Sequence, residues 1–385
     1  MVSHIKWAGA AMVGAAALAA AGCGGADKSG ASDTGAANAV KVAIVQPYSG
    51  DSAYYGQYAD QAFKLAMEEL GSKPGGHAIT FVRGDSKCVP TAAVQAGNQV
   101  LAQSPVAVMA PACSGDTLAL KPLLKARNVS ACSINLHPEI TEANGKIVRA
   151  APSDSFTNEL FAKYIADKGV KKIGILHDTS GYGQGNVDTL VASLEKNGVK
   201  VAVNATYDFA DTDYSGQIVK LKKAKVDAAY FEGYDLAAGN LVKQAKQLQL
   251  DVPYYANTNA GNDTAEKAAG KSLDGVLFAT AFLADSSDAT RKFTATWQQK
   301  FNQAPNSDSV DLYQCAVVIL KAIEAAGKNA TGATVGQQMA KVSAPGVTVG
   351  TMAFDASGDL NDPPVLIGTW KDGKAVLVDR LSGAE

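Results

Sequence analysis

From Val40 onward the chain alternates short β-branched runs with amphipathic stretches, and this alternation limits it to an α/β fold with mainly parallel sheets. The first unit shows the pattern. Val40 to Val45 reads as a strand and a Gly/Ser/Tyr loop runs to Gln57. Phe63, Ala66, Met67 and Leu70 then fall at i, i+3, i+4 and i+7 on one helical face, until Gly71 and Pro74 end it. Further strands are expected at His77 to Arg83, Val106 to Ala110, Val129 to Ile134, Lys172 to Leu176, Val199 to Tyr207, Asp227 to Phe231 and Gly275 to Ala279, with helices between them. In such sheets ligands bind beyond the carboxyl ends of the strands. Those ends are Gln46 to Tyr55, Ala112 to Asp116, Asn135 to Pro138, His177 to Gly185, Glu232 to Asp235 and Ala256 to Asn262. They are rich in Ser, Thr, Asn and Tyr, which hold a small polar molecule by neutral hydrogen bonds.

The N-terminus carries a different signal. His4 and Lys6 precede an uncharged run from Trp7 to Ala21, about 15 residues and below the roughly 20 of a membrane span, which reads as a secretory signal over residues 1–22. Ala20-Ala21-Gly22 before Cys23 resembles a lipobox, although that pattern usually has Leu at the position of Ala20. A lipidated Cys23 would hold the mature chain at a membrane surface without spanning it. Residues 23–39 then form a tether, because Gly24 to Asn38 is too rich in Gly, Ala, Ser and Asp to bury an apolar core.

The rest of the chain suits two domains of ordinary size. With 35 basic against 37 acidic residues, the net charge of −2 gives no footprint for nucleic acid. Of the five cysteines, none forms a C-x-x-C pair, and His77, His137 and His177 lack zinc-site spacing, so no metal or other cofactor is expected.

Two catalytic leads are weak. Gly181-Tyr182-Gly183-Gln184-Gly185 places its third glycine one residue early for a dinucleotide loop and lacks a clear acidic ribose partner, so a tight turn presenting Tyr182 is the simpler reading. Ala112-Cys113-Ser114-Gly115 lacks the G-x-S-x-G elbow of a hydrolase. A spatial triad of Ser114 or a cysteine with His137 or His177 remains as an alternative, an exported hydrolase.

The mature chain resembles the type I periplasmic binding proteins, in particular those for leucine, isoleucine and valine. The resemblance rests on Val42-Ala43-Ile44-Val45-Gln46-Pro47-Tyr48-Ser49-Gly50, Tyr54-Tyr55-Gly56, Asp85 to Pro90, His177-Asp178 with Tyr182-Gly183, and Gly350 with Phe354-Asp355 and Gly358-Asp359, in order over most of the chain. It implies two Rossmann-like lobes joined by three crossings, near Arg149 to Pro152, Phe278 to Phe282 and Pro345 to Gly350. Residues 40–150 with 282–346 would form lobe 1, and 151–281 with 347–385 lobe 2. The partners it implies are a small-molecule solute and the permease and ATPase subunits of an ABC importer, with the protein a monomer held to a membrane by its lipid alone.

Carried over by position, the resemblance assigns Tyr55 as an aromatic lid, Ser114 as a hydrogen-bonding partner of the solute and Tyr182 as a second-lobe aromatic. Asn135 and Leu136 fall in a loop that supplies a carbonyl and a threonine, and Thr258 falls where the family has a glutamate for the solute's ammonium. A buried ammonium needs a charge partner. Glu232, at the end of the strand Asp227 to Phe231, is the nearest acid to take that role. The resemblance also pairs Cys88 with Cys113; Cys132 and Cys315 should both lie in the first lobe, where buried, reduced thiols are the first expectation and a second bridge is the alternative. An aliphatic, branched-chain amino acid is the first expectation for the solute. The alternatives are an amide or aromatic carboxylate on the same fold, or a sensor with a separate signalling partner.

Overall fold

The computed structural model describes residues 39–141 and 146–381; the signal segment, Cys23 and nearly all of the tether lie outside them. The first sheet is wholly parallel, in the order β2-β1-β3-β4-β5, from β1 (Ala39–Gln46), β2 (Ala78–Asp85), β3 (Ala107–Met109), β4 (Ala131–Ser133) and β5 (Ile147–Arg149). Around it lie α1 (Tyr54–Leu70), α2 (Pro90–Leu101) and α3 (Ser114–Arg127).

A strand's two-residue period sends alternate side chains to opposite faces. In β1, Val42 and Ile44 accordingly join a core with Ala59, Phe63 and Ala66 of α1, while Ala43 and Val45 join another with Ala96 and Val100 of α2 and Leu120 of α3. Both faces are covered, which is why this strand is a nearly unbroken apolar run.

The second sheet has the order β14-β13-β10-β9-β8-β6-β7. Its parallel strands are β6 (Lys172–Asp178), β7 (Lys200–Tyr207), β8 (Ala228–Phe231), β9 (Tyr254–Ala256) and β10 (Leu277–Thr280), preceded or linked by α4 (Asp154–Asp167), α5 (Gly181–Lys196), α6 (Ser215–Ala224), α7 (Asp235–Gln247) and α8 (Asp263–Ala269). The chain then returns to the first lobe through α9 (Asp288–Phe301), α10 (Ser307–Ala326) and α11 (Gly332–Met339). Helix α10 is apolar on nearly all sides from Val310 to Ile323, and it is correspondingly buried. After a two-strand ribbon, β11 (Ala344–Pro345) with β12 (Thr351–Met352), the antiparallel strands β13 (Val365–Lys371) and β14 (Lys374–Leu381) complete the second sheet.

Two sequence expectations are corrected here. Residues 347–385 do not all belong to lobe 2. Val349, Met352 and Leu360 lie in the core that holds Val42 and Ile44, and buried Arg149 pairs through Nε with Asp359 at 2.8 Å. Gly358 fixes this turn on lobe 1: its φ is 97°, and a Cβ there would sit 2.4 Å from the Ile147 carbonyl. The chain enters the second sheet only with β13. The second correction concerns Cys132 and Cys315, which form a disulfide between β4 and α10, with Cα atoms 5.6 Å apart. Cys88 and Cys113 form the other disulfide.

Candidate functional site

The strand ends meet in one cavity between the two sheets, enclosing about 770 Å³ of space not filled by protein, its open mouth included. Its lining comes from the strand ends and helix starts of both lobes, an enclosure suited to a small solute and not to a polymer. Six residues singled out in the sequence line it, namely Tyr55, Ser114, Asn135, Leu136, Tyr182 and Thr258.

On the lobe 1 side the wall is built by hydrogen bonds from the end of β1. Gln46 donates through Nε2 to the Ala110 carbonyl (2.6 Å) and accepts from the Ala112 amide (3.0 Å), holding the segment that leads into α3. Ser114 is the first residue of that helix. Its hydroxyl donates to Asn135 Oδ1 at 3.2 Å, and Asn135 Nδ2 lies within 2.7–2.9 Å of the Pro111 carbonyl, Thr117 Oγ1 and Ser133 Oγ. The N-terminus of α3 therefore faces the cavity, and its amides and dipole favour negative charge. Ser114 has an amide and not an imidazole as its partner, and neither His137 nor His177 lines the cavity, so the spatial triad does not form.

Lobe 2 presents acids, amides and tyrosines. Asp154 opens α4, and its Oδ1 accepts from Asn186 Nδ2 at 2.8 Å, while Oδ2 is buried with no hydrogen-bond partner. Burial pushes this carboxyl up to about 7, against the opposing pull of the Asn186 hydrogen bond and the Arg149 charge. Tyr230 donates to Asn186 Oδ1 at 3.0 Å, and Asn158 donates to the Asn186 carbonyl at 2.9 Å, so the amide that holds Asp154 is itself fixed. The rings of Tyr182 and Tyr234 lie 5.2 Å apart, and Asn257 Nδ2 donates to Tyr182 Oη at 3.1 Å.

The glycine run at 181–185 is not a separate turn. Ser180 caps α5 by accepting from the Gly183 amide at 3.2 Å, and Tyr182 projects from the helix's first turn. Two of its glycines give close approach to lobe 1. A Cβ on Gly181 would lie 3.2 Å from the backbone of Gly115, and one on Gly185 would lie 2.1 Å from the His137 ring.

Glu232 does not line the cavity. It is wholly buried behind Tyr182, its Oε1 3.3 Å from Asn257 Nδ2 and its Oε2 3.4 Å from the Asp178 amide. Burial, with the nearby Asp178 and Asp154 carboxyls, raises its pKa well above the usual carboxylate range. The acids that do line the cavity are Asp154, Asp308 and Asp311, none of which the strand-end rule singles out. Asp154 stands just after the first crossing, and Asp308 and Asp311 stand on the first turns of α10.

A model of the periplasmic binding proteins matches residues 39–375, and the chain belongs to that family, in the branch of the branched-chain amino acid binders. It is 30% identical over 340 residues to the leucine-, isoleucine-, valine-, threonine- and alanine-binding protein of Pseudomonas aeruginosa, covering 87% of this chain and 90% of the relative. A leucine-binding protein from Thermotoga maritima shares the fold at TM-score 0.82 and 22% identity, over 89% of this chain and 99% of the other. A solute-binding protein from R. palustris in complex with benzoate does so at TM-score 0.83 and 19% identity, over 90% and 98%. The chain is thus an extracytoplasmic solute-binding protein of the ABC-transporter type, which captures a small molecule and is not an enzyme. Among the described residues no helix is long and apolar enough to cross a membrane.

Proposed function

We propose that the cleft captures a small amino-acid-like solute and that the closed protein delivers it to an ABC permease. The solute's carboxylate lies at the N-terminus of α3 with Ser114, its ammonium meets Asp154 Oδ2, and Tyr55 and Tyr182 cover it. The observation that carries this reading is the buried, unpartnered oxygen of Asp154 on one side of a cavity whose other side is a helix N-terminus. An orphaned buried carboxylate oxygen is costly unless a ligand supplies its partner. The three chain passages between the sheets serve as the hinge on which the lobes close, the motion by which periplasmic binding proteins in general enclose their ligands. Lipidated Cys23 and the tether hold a monomer at the membrane.

An aromatic carboxylate is the competing solute, favoured by the benzoate complex of the R. palustris neighbour and by the tyrosines of the wall. Three acids in the wall stand against it. A thermal-shift panel of amino acids, amides and aromatic acids separates the two, because a ligand at about a hundred times its Kd adds about 2.7 kcal/mol to the folded state. Stabilisation by amino acids and not by benzoate supports the reading, and the reverse overturns it.

A further inference from the structure

The cavity holds more carboxyl groups than an α-ammonium needs. Asp308 and Asp311 line it from α10 and are 9% and 7% exposed, and Asp154 is 2% exposed on α4. Among the described residues lining the cavity there is no Lys, Arg or His. Arg149, whose charge reaches Asp154, is taken up by Asp359 and by the carbonyls of Asn135 and His137.

The two acids of α10 are poorly satisfied. Asp308 Oδ2 accepts from Asn262 Nδ2 at 3.2 Å and from Asn306 Nδ2 at 3.4 Å, and Asp311 Oδ1 has a long contact of 3.5 Å from Gln314 Nε2. Their remaining oxygens take no hydrogen bond among the described residues. Asp235 shares the Asn262 amide at 3.0 Å, which brings a further carboxyl from α7 to Asp308. These acids form a pole of their own: Asp308 feels Asp235 and Asp311 feels Asp308, whereas Asp154 feels Arg149. Tyrosines complete it. Tyr55 lines the cavity, its ring tilted against that of Tyr54 with centroids 4.4 Å apart, and the charge of Asp308 reaches Tyr54, Tyr55 and Tyr58 of α1. Carboxylates beside aromatic faces are the surroundings that hold an organic cation.

We infer that the solute is a basic amino acid, whose side-chain cation is held by Asp308 and Asp311 beside Tyr55 while its α-ammonium meets Asp154. This rests on the amino-acid reading above. A leucine side chain would bury methyl groups against unpartnered carboxyl oxygens, leaving their desolvation unrelieved. An aromatic acid would add a further negative charge to them.

Burial raises both α10 carboxyls well above the usual range, with Asp235 adding to Asp308 and Asp308 to Asp311. The groups that face them are Asp235 of α7, Asn262 before α8, Asn306 and Gln314 at and within α10, and the three tyrosines of α1, while Asp263 acts on Asp235 and Tyr58. A bound cation favours their ionised forms, so binding releases protons and tightens as pH rises.

Calorimetric titration of the mature protein with lysine, arginine, ornithine, leucine, glutamine, a diaminoalkane and benzoate tests this, run in buffers of differing ionisation heat. A basic amino acid should bind at least about tenfold more tightly than leucine or glutamine, and more tightly still at about pH 8 than at about pH 6, with proton release. Asp311→Asn should weaken it by about 30- to 100-fold and leave leucine unchanged or improved, with Asp308→Asn as the second variant if the first misfolds. Leucine or glutamine binding best overturns the second charge and leaves the amino-acid reading intact. A diaminoalkane binding best supports the second charge and overturns the carboxylate contact. Benzoate binding best, or no binding by any member, overturns both.

Discussion

The two lobes face the same solute with opposite equipment. Lobe 1 brings a helix N-terminus, a hydroxyl and an amide locked into a network, on an all-parallel sheet braced by both disulfides. Lobe 2 has no disulfide among its described residues and brings Asp154, Asn158, Asn186 and the tyrosines on a mixed sheet. Ser114 and Asn135 of lobe 1 are therefore satisfied before the solute arrives, whereas Asp154 of lobe 2, and Asp308 and Asp311 at the start of α10, keep oxygens waiting for it. A prepared platform and an incomplete cover make a device that gains most by closing when the solute is present, because only then is the desolvated acid paired.

The largest expected difference between the lobes is mechanical. Cys132→Ser with Cys315→Ser unties β4 from α10 in lobe 1 and opens a loop of 183 residues that includes lobe 2 from α4 to β10, worth up to about 5 kcal/mol on the chain-entropy model. Hydrogen exchange should show lost protection in β1, β3 and β4 and unchanged protection in β6 and β8. Equal loss in both sheets would show that the lobes do not differ in how they are braced.

A smaller effect is expected where the lobes touch. Gly181→Val places a Cβ 3.2 Å from the Gly115 backbone, which has no flexible side chain to yield, so closure should weaken. We expect a loss of about 1 to 3 kcal/mol in solute affinity, with little change in the melting temperature of the free protein. Small-angle scattering on solute addition should show less compaction than in the parent, and identical compaction would place the lobe contact elsewhere.

The smallest effect is on pH. Asp116 in lobe 1 and Asp154 and Asp235 in lobe 2 are each pushed up to about 7 by burial. Between the ordinary carboxylate range and about 7 the folded protein therefore binds more protons than the unfolded chain. Stability from these groups is full at low pH within that window and is lost as pH rises through about 7. The melting temperature of the solute-free protein should fall by several degrees from about pH 5.5 to about pH 8, and Asp154→Asn should flatten part of the fall. A rise over that range would contradict the burial of these acids.

Much of this organisation is visible in the chain itself. The runs at Val40, Lys172 and Asp227 announce buried strands because both of their faces are covered, and the strand-end rule brings Ser114, Asn135, Tyr182 and Thr258 to one cavity. Strands β5 and β9 escape, since they are three residues long like β3 and β4 but lack the β-branched residues on both flanks, or the longer apolar run, that mark Val106 to Ala110 and Val129 to Ile134. The same rule finds the end of β8 but not the direction of Glu232, whose side chain turns behind Tyr182. Asp308 and Asp311 escape because they belong to a helix N-terminus, not to a strand end. The Cys132–Cys315 bridge escapes because the approach of β4 to α10 is a matter of tertiary packing across 183 residues.

Which carboxyl of lobe 2 receives the ammonium is decided most directly by parallel calorimetric titrations of Asp154→Asn and Glu232→Gln. The titrant is the amino acid that most raises the parent's melting temperature. Asp154→Asn removes the carboxylate of a residue that lines the cavity, and should weaken binding by about 2 to 5 kcal/mol. Glu232→Gln alters a group behind the wall, and should change binding by less than about 1 kcal/mol, the scale of one neutral hydrogen bond. A large loss in Glu232→Gln with unaltered affinity in Asp154→Asn would contradict this assignment and move the ammonium to Glu232.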